Sequence, residues 1–594
     1  MQDIQGELVT DKKEIADMLQ QQFKSVFSDP LHGASYKLPF SKPVIAHPLT
    51  DLVFETRDIV KAINEIKVDS SCPKYEIPAK VYKECKFTLS VPLKILWTRS
   101  FEEGRVPQHY KNSEVTPIFK KGLKTKCENF RPIICSPHTI KIFERVMRDK
   151  LAFYFESNSL FNINQHGFRH QRSCITQLLA HTNFIHSGLV EGSSVDSIYI
   201  DYAKAFDKVD HGILLQKLRH YRVGDKYIKW IRSFLEGRSQ TVNVDGHCSF
   251  STPVTSAVPQ GSVLGLLLFI IFINDLPNVI NGAEIQTFAD DTKIVAKINT
   301  ANDHEKLQNN LHAVSDWSLY NNMDLNKDKF QLICHKSNRQ NKDLNLLKSL
   351  PFSNTFESYK ATDLITIYPS LSVRDLGIEI DENLSWGLHI ETLCKKCKQL
   401  SAWILSVFYT RDKYTMLTLF KSLVRSRLEY GCEVWNPHKN QDIVKLEQLQ
   451  RSFTYRISGM REFNYWERLK ILSIMSLQRR RERIIIIHLW KIRNNIFPNF
   501  LDIQFKVHKR TNAIKAILKP LPRVRGAVLT NFDGSFLIRS AKLWNALPPN
   551  LTIITSLQLF KTTLDKFLLK LPDKPPLPGY PFNCDNSIIS VPKL

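Results

Sequence analysis

Two stretches of this chain set carboxylates where chemistry could use them. Asp201 follows the apolar run Ser197-Ile198-Tyr199-Ile200 in VDSIYIDYAKAF, and Asp290 and Asp291 follow Ile285 to Ala289 in AEIQTFADDTKIVAKI. Each pattern reads as a strand that delivers an acid at its end. An Asp-Asp pair at a hairpin tip is ordinarily a solvated turn. If the two strands are neighbours in one sheet, however, the acids converge at one edge, and converging like charges call for a divalent cation. Mg²⁺ suits such a place, because it takes a few carboxylate oxygens together with substrate phosphates. Two such ions clamp an in-line phosphoryl transfer, one activating the attacking oxygen and the other stabilising the leaving group.

The elements around these acids can be read from hydrophobic periodicity. VDSIYIDYAKAF is a strand running into a loop, and KYIKWIRSFLEG is a helix. TVNVDGHCS predicts a hairpin about an Asp-Gly turn. SVLGLLLFIIFINDL predicts a buried helix, and AEIQTFADDTKIVAKI a second hairpin. Upstream, residues 1–115 read as mostly helical with proline breaks such as KLPFSKPVIAHP. Residues 116–190 mix short strands with helix, and TIKIFERVMRDKLAFYFE has apolar residues at helical spacing. Strands and helices alternating around antiparallel hairpins imply an α+β core. Beyond residue 390 the chain turns helical and basic. DIVKLEQLQRSFTYRI places Ile443, Leu446, Leu449, Phe453 and Ile457 near one face, with Arg451 and Arg456 away from it. Proline and basic residues in 517–526 and 571–582 predict linkers or extended segments.

The charge is uneven. The 594 residues carry 82 Lys+Arg against 58 Asp+Glu, a net +24. Residues 391–594 hold 35 of the basic residues and 14 of the acidic ones, a net +21, so a near-neutral body carries a basic C-terminal third. Such asymmetry predicts a polyanionic partner, nucleic acid above all. The run Arg479-Arg480-Arg481, with Arg483, is the densest candidate for phosphate contacts. Eleven cysteines at irregular spacing give no disulfide framework, so reduced thiols and an intracellular location are expected. Cys394-Lys395-Lys396-Cys397 lacks a partner pair at zinc spacing and reads as a helical pair. The polar N-terminus has no signal-peptide core. The longest apolar run, Val263 to Ile273, is too short to span a bilayer, so no membrane partner is expected.

In order along the chain, PIFKKG…NFRPI (117–133), QHGFR (165–169), YIDYAKAFDKVDH (199–211), VPQGSVLG (258–265), FADD (288–291), NNMDLNKDK (321–329) and LGIEIDENLSW (376–386) resemble the successive motifs of reverse transcriptases. The set is similar in particular to those of non-LTR, LINE-type retrotransposons. RLEYGCEVWNP (427–437) and AKLWNALPPN (541–550) resemble the tails of jockey-like elements.

The resemblance implies a right-hand polymerase: fingers, a palm with an antiparallel sheet, a helical thumb and a basic, mainly helical C-terminal extension. The domains would be an N-terminal helical extension at 1–115, fingers and palm at 116–390, thumb at 391–470 and extension at 471–594. It implies two Mg²⁺ ions, with Mn²⁺ as a possible substitute, held by Asp201, Tyr202 and Asp290, with Asp291 completing the acidic cluster. Phe206 would close off the space of a ribose 2′-hydroxyl. Gln260 and Gly261 would line the incoming dNTP, Lys121 and Arg131 would grip its triphosphate, and Lys329 would protonate the pyrophosphate.

Partners would be template RNA, primer or target DNA and dNTPs, in a nuclear and cytoplasmic ribonucleoprotein. The endonuclease domain that such proteins carry before the polymerase is expected to be lacking. The sequence departs from the family at Ala257, where glycine is usual, and at Leu266, where proline is usual. These departures leave a second reading open, a catalytically inactive nucleic-acid-binding relic. Phe206 and FADD count against an RNA-dependent RNA polymerase.

Overall fold

Alternating strand formers in NSEVTPIF and FRPIIC fold into a hairpin. Strand β1, Asn112–Phe119, pairs antiparallel with β2, Phe130–Cys135. The structure is a computed structural model and describes residues 1–2, 6–28, 43, 45, 47–73, 76–336, 358–361, 365–519, 532–577 and 586–590. Helix and sheet mix along the whole chain, which falls into two compact units. The first holds residues 1–169, 199–294 and 306–330, and the second holds 170–198, 295–305 and 331–594.

Four further strands lead to the site: β3, Ser194–Ile200; β4, Arg238–Val244; β5, His247–Cys248; and β6, Thr252–Val254. They are followed by β7, Glu284–Phe288, β8, Asp291–Ile298, and β9, Gln331–His335. One sheet runs β2-β1-β4-β5 with β6 on β4, and β1 is parallel to β4. The expected Asp-Gly hairpin is there: Asp245 and Gly246 turn between β4 and β5 with φ of 50° and 93°. Positive φ at both central residues matches the twist of a two-residue hairpin. A second sheet has the order β7-β8-β3-β9. The strand that runs into Asp201 and the strand that begins with Asp291 are thus neighbours, as convergence of the acids requires.

In the first unit, helices Lys86–Glu103, His138–Ser157 and Asp225–Leu235 are locked by aromatic rings. Phe143 lies 4.5 Å from Trp97 and 4.4 Å from Trp230, centroid to centroid. These rings carry much of the apolar burial. The run from Val263 forms the short helix Val263–Phe272, where Leu264, Leu267, Leu268 and Phe269 to Phe272 are all buried.

In the second unit the helix Asn440–Tyr455 buries Ile443, Leu446, Leu449 and Phe453, and Ile457 is buried just past its end. Cys394 and Cys397 sit buried in the helix Gly387–Val407, where burial pushes both thiols up to about 11. The ten described cysteines are free thiols. No helix among the described residues is long and apolar enough to cross a membrane. Of the expected linker or extended segments, 571–577 and 518–519 have neither helix nor strand and Ile517 ends the strand Ile514–Ile517; 520–526 and 578–582 lie outside the described residues, as do 37–42 of the proline-broken stretch.

Candidate active site

Strand β3 ends at Ile200, and Asp201 leaves it. A short antiparallel ladder holds the chain there. Asp201 accepts at its carbonyl from the Asn326 N–H (2.8 Å), the Ala203 N–H donates to Asp324 (2.8 Å), and Tyr202 bridges Leu325. That ladder lays NNMDLNKDK beside the acid and brings Lys329 Nζ within 3.3 Å of Asp201 Oδ2. Strands β7 and β8 are joined by two residues, Ala289, at φ 58°, and Asp290. Burial, and after it the charge of Asp201, push the Asp290 carboxyl up, while its own backbone N–H, Arg131 and Lys120 pull it down. The two carboxylates therefore lie close enough to repel.

Asp291 stands exposed at the start of β8, next to the more buried turn residue Asp290. Among the described residues no three His, Cys, Asp or Glu side chains group as a metal site. The structure thus brings Asp201 and Asp290 near each other. Tyr202 can enter only through its carbonyl, because its ring is buried edge-on to Trp317. Two repelling carboxylates and a carbonyl are hard oxygen donors of the kind Mg²⁺ takes.

Cations surround this pair. Arg131 on β2 is opposite Ile118 of β1, and Lys120 and Lys121 follow β1. Partial burial, then Arg131, Lys121, Lys204 and Lys329, push the Lys120 ammonium down. Four cations from three parts of the chain thus act on Lys120, a concentration of positive charge that would suit a polyanion. Sequence reasoning singled out Lys121, Arg131 and Lys329 but missed Lys120 and Lys204. The available signals were slight: Lys120 adjoins Lys121, and Lys204 comes three residues after Asp201.

Phe206 is half-buried and stacks on Phe269 at 4.2 Å. Its carbonyl accepts from the Val258 N–H, which ties VPQG to the loop after Asp201. Gln260 gives its side-chain amide to Asp207 (2.7 Å) and its carbonyl to the Ile134 N–H of β2 (2.8 Å). Gly261 sits at φ 105°, and a Cβ there would lie 2.7 Å from the Ile134 carbonyl oxygen. Glu144, another missed residue, is buried on helix His138–Ser157. It accepts from Ser262 Oγ and from the N–H groups of Val263 (2.7 Å) and Leu264 (3.0 Å). Those donors have no partner within a helix's first turn, so Glu144 fixes the start of the helix that follows the Gln-Gly loop.

The arginine run is a correction. Arg479 and Arg481 are buried, and Arg479 donates to the carbonyls of Pro572 (2.9 Å) and Asn586 (2.8 Å). Arg481 donates to Asn436 Oδ1 at 3.0 Å. Arg480 forks onto Glu429 (2.6 and 2.9 Å), and Arg483 onto Asp565. These guanidinium groups are spent inside the second unit, so this run does not present a phosphate-binding face.

Residues 118–380 match the family described as reverse transcriptase (RNA-dependent DNA polymerase). A probable RNA-directed DNA polymerase from transposon X-element of Drosophila melanogaster is 24% identical over 369 residues, covering 60% of this chain and 38% of that protein. The RNA-directed DNA polymerase from mobile element jockey of the same fly is 26% identical over 381 residues, covering 62% and 40%. The chain thus spans less than half the length of these relatives. An apo telomerase structure from Candida tropicalis, truncated from its C-terminal domain, aligns over 52% of this chain and 61% of its own at 11% identity, with a TM-score of 0.30.

Proposed function

From the reverse transcriptase domain at residues 118–380, we propose that the chain is the RNA-directed DNA polymerase of a non-LTR retrotransposon. It extends a primer 3′-hydroxyl with dNTPs on an RNA template, in a nuclear and cytoplasmic ribonucleoprotein. The observation that carries the reading is the closeness of Asp201 to Asp290 at the ends of adjoining strands, with Arg131 and Lys120 near Asp290. Asp201, the Tyr202 carbonyl and Asp290 would hold two Mg²⁺ ions, or Mn²⁺, which supply charge to activate the primer hydroxyl and to stabilise pyrophosphate as it leaves. Asp291 adds negative potential beside them.

Lys120, Lys121, Arg131 and Lys204 neutralise the triphosphate and hold its α-phosphorus in line with the hydroxyl. Lys329, beside Asp201, gives a proton to the departing pyrophosphate. Phe206, backed by Phe269, presses against C2′ of the sugar and excludes a 2′-hydroxyl. Gln260 and Gly261 border the base and sugar, held by Asp207 and β2. In this reading residues 391–470 are the thumb and 471–594 an extension that carries template or target. Primer extension on poly(rA)/oligo(dT) with Mg²⁺ and dTTP tests it. Purified protein should extend the primer and the Asp290→Ala variant should not; folded protein that yields no product, like the variant, refutes the polymerase.

One observation favours the second reading, an inactive nucleic-acid-binding relic. Ala257, where a glycine would be at ease, is held at φ 91°. Its N–H donates to Val209 and its carbonyl accepts from His211, so the strain bears on the loop that leads to Gln260. Binding of an RNA–DNA duplex without extension, with activity recovered in Ala257→Gly, would select the relic.

A further inference from the structure

QHGFR lies 119 or more positions before FADD, yet the fold sets the two against each other. The segment runs beside β7: the His166 N–H donates to the Thr287 carbonyl (2.9 Å), and the Thr287 N–H to that of Asn164 (3.1 Å). Gln165, which is buried, accepts at Oε1 from the N–H groups of Ala289 (3.0 Å) and Gly167 (2.8 Å). Two N–H donors on one side-chain atom identify it as the amide oxygen. A Cβ on Gly167 would lie 2.3 Å from the Ala289 nitrogen, so only glycine lets the segment come this close.

Arg169 ties the other end down. It forks onto Glu156 (2.9 and 2.7 Å) and donates to the carbonyls of Asn162 (2.7 Å) and Gln165 (3.2 Å). Ala289 is the residue at positive φ whose next neighbour is Asp290. A left-handed alanine persists only where its surroundings hold it.

We infer that Gln165 is a positioning residue for the polymerase reaction: its amide oxygen, brought in by Gly167 and anchored through Arg169, fixes the left-handed turn at Ala289 and so aims Asp290 at its partner Asp201. The catalytic part of this rests on the polymerase reading; the structural part does not. Gln165 is buried and spends its amide oxygen on Ala289 and Gly167, so its effect should fall on the chemical step and leave nucleotide affinity alone.

The test compares Gln165→Met, which keeps the length but lacks the acceptor, with Gln165→Glu, which keeps an oxygen at the same reach. Hydrogen exchange is followed at the Ala289 amide alongside primer extension. In Gln165→Met, Ala289 should exchange about tenfold faster or more, because the bond that protects it is gone. The value of kcat should fall about tenfold to a hundredfold while KM for dTTP stays within about twofold, the sign of a misaimed group. Gln165→Glu should restore the protection and most of kcat.

Unchanged exchange at Ala289 in Gln165→Met overturns the inference, and so does faster exchange with an unchanged kcat in an active enzyme. If Gln165→Met does not fold, Gly167→Ala takes its place, since its Cβ pushes on the same nitrogen and should give the same pair of changes. A wild-type protein that never extends primer sinks the polymerase reading, while exchange at Ala289 still decides whether Gln165 holds the turn.

Discussion

Asp207 carries an acid into a place that water hardly reaches. It is 4% exposed, and burial pushes its carboxyl up to about 6, against the help of the Gln260 amide and of Lys204 and Arg131. Between the ordinary carboxylate range and about pH 6 the folded protein therefore binds a proton that the unfolded chain has released. Stability contributed by this group falls as pH rises through that window. By pH 7 the cost is on the order of 3 kcal/mol. Asp207→Asn should remove it, raising the melting temperature at pH 7 and flattening the profile between pH 4 and 6, with no gain at pH 4. The Asn oxygen can still accept from Gln260, so thermal melts across pH decide the matter without loss of the contact. At Ala257 backbone strain replaces buried charge. A left-handed conformation costs a non-glycine residue about 1–3 kcal/mol, part of which glycine returns through its larger unfolded-state entropy. Ala257→Gly should stabilise the protein by about 1 kcal/mol in denaturant titrations. Its effect on primer extension separates a merely strained loop from a disabled one.

The loop proposed to hold the incoming nucleotide depends on β2. Gly261→Ala must either break the Gln260–Ile134 bond or move β2, because its Cβ would meet the Ile134 oxygen at 2.7 Å and φ there is 105°. Expected are a loss of about 2 kcal/mol in stability and a rise of about tenfold in KM for dNTP, with a smaller change in kcat. Single-turnover kinetics over a dNTP series would show the opposite split if the loop merely supported the fold. The elements themselves were legible in sequence, because their signals are local. An acid after a run of strand formers, an Asp-Gly turn and an apolar run that becomes a buried helix each lie within a dozen residues. What escaped the sequence is what depends on distant neighbours. Arg479 to Arg483 read as a basic face, and nothing local reveals that Glu429, Asn436, Asp565, Pro572 and Asn586 would enclose it. Lys120 and Lys204 gain a role only when β1 and the loop after β3 meet, and Glu144 only when its helix reaches Ser262. The side-by-side acids of FADD likewise differ in burial, one half-buried in the turn and one exposed at the start of β8.

At the scale of the molecule the net charge of +24 favours a polyanionic partner, and the proposed function would have nucleic acid held by cations outside the arginine run. With the arginine run committed to internal partners, exposed lysines elsewhere in the basic third are the candidates for that role. Lys395, Lys396 and Lys398 stand exposed on helix Gly387–Val407, while Cys394 and Cys397 turn to its buried side. Each phosphate neutralised on a duplex contributes about −0.9 to the slope of log K against log salt. Replacing the three lysines by glutamine should therefore flatten that slope by about 2 or more, with little change in melting temperature, if each meets a phosphate. Arg480→Gln with Arg483→Gln should do the reverse. Duplex affinity and its salt slope should stay near wild type, whereas stability should fall by about 2 kcal/mol or more as Glu429 and Asp565 lose charged donors. Fluorescence anisotropy with an RNA–DNA duplex, titrated at several salt concentrations beside thermal melts, distinguishes the two. A slope that falls with the arginine pair instead would return the phosphate face to Arg480 and Arg483, and with it the expectation that sequence alone suggests.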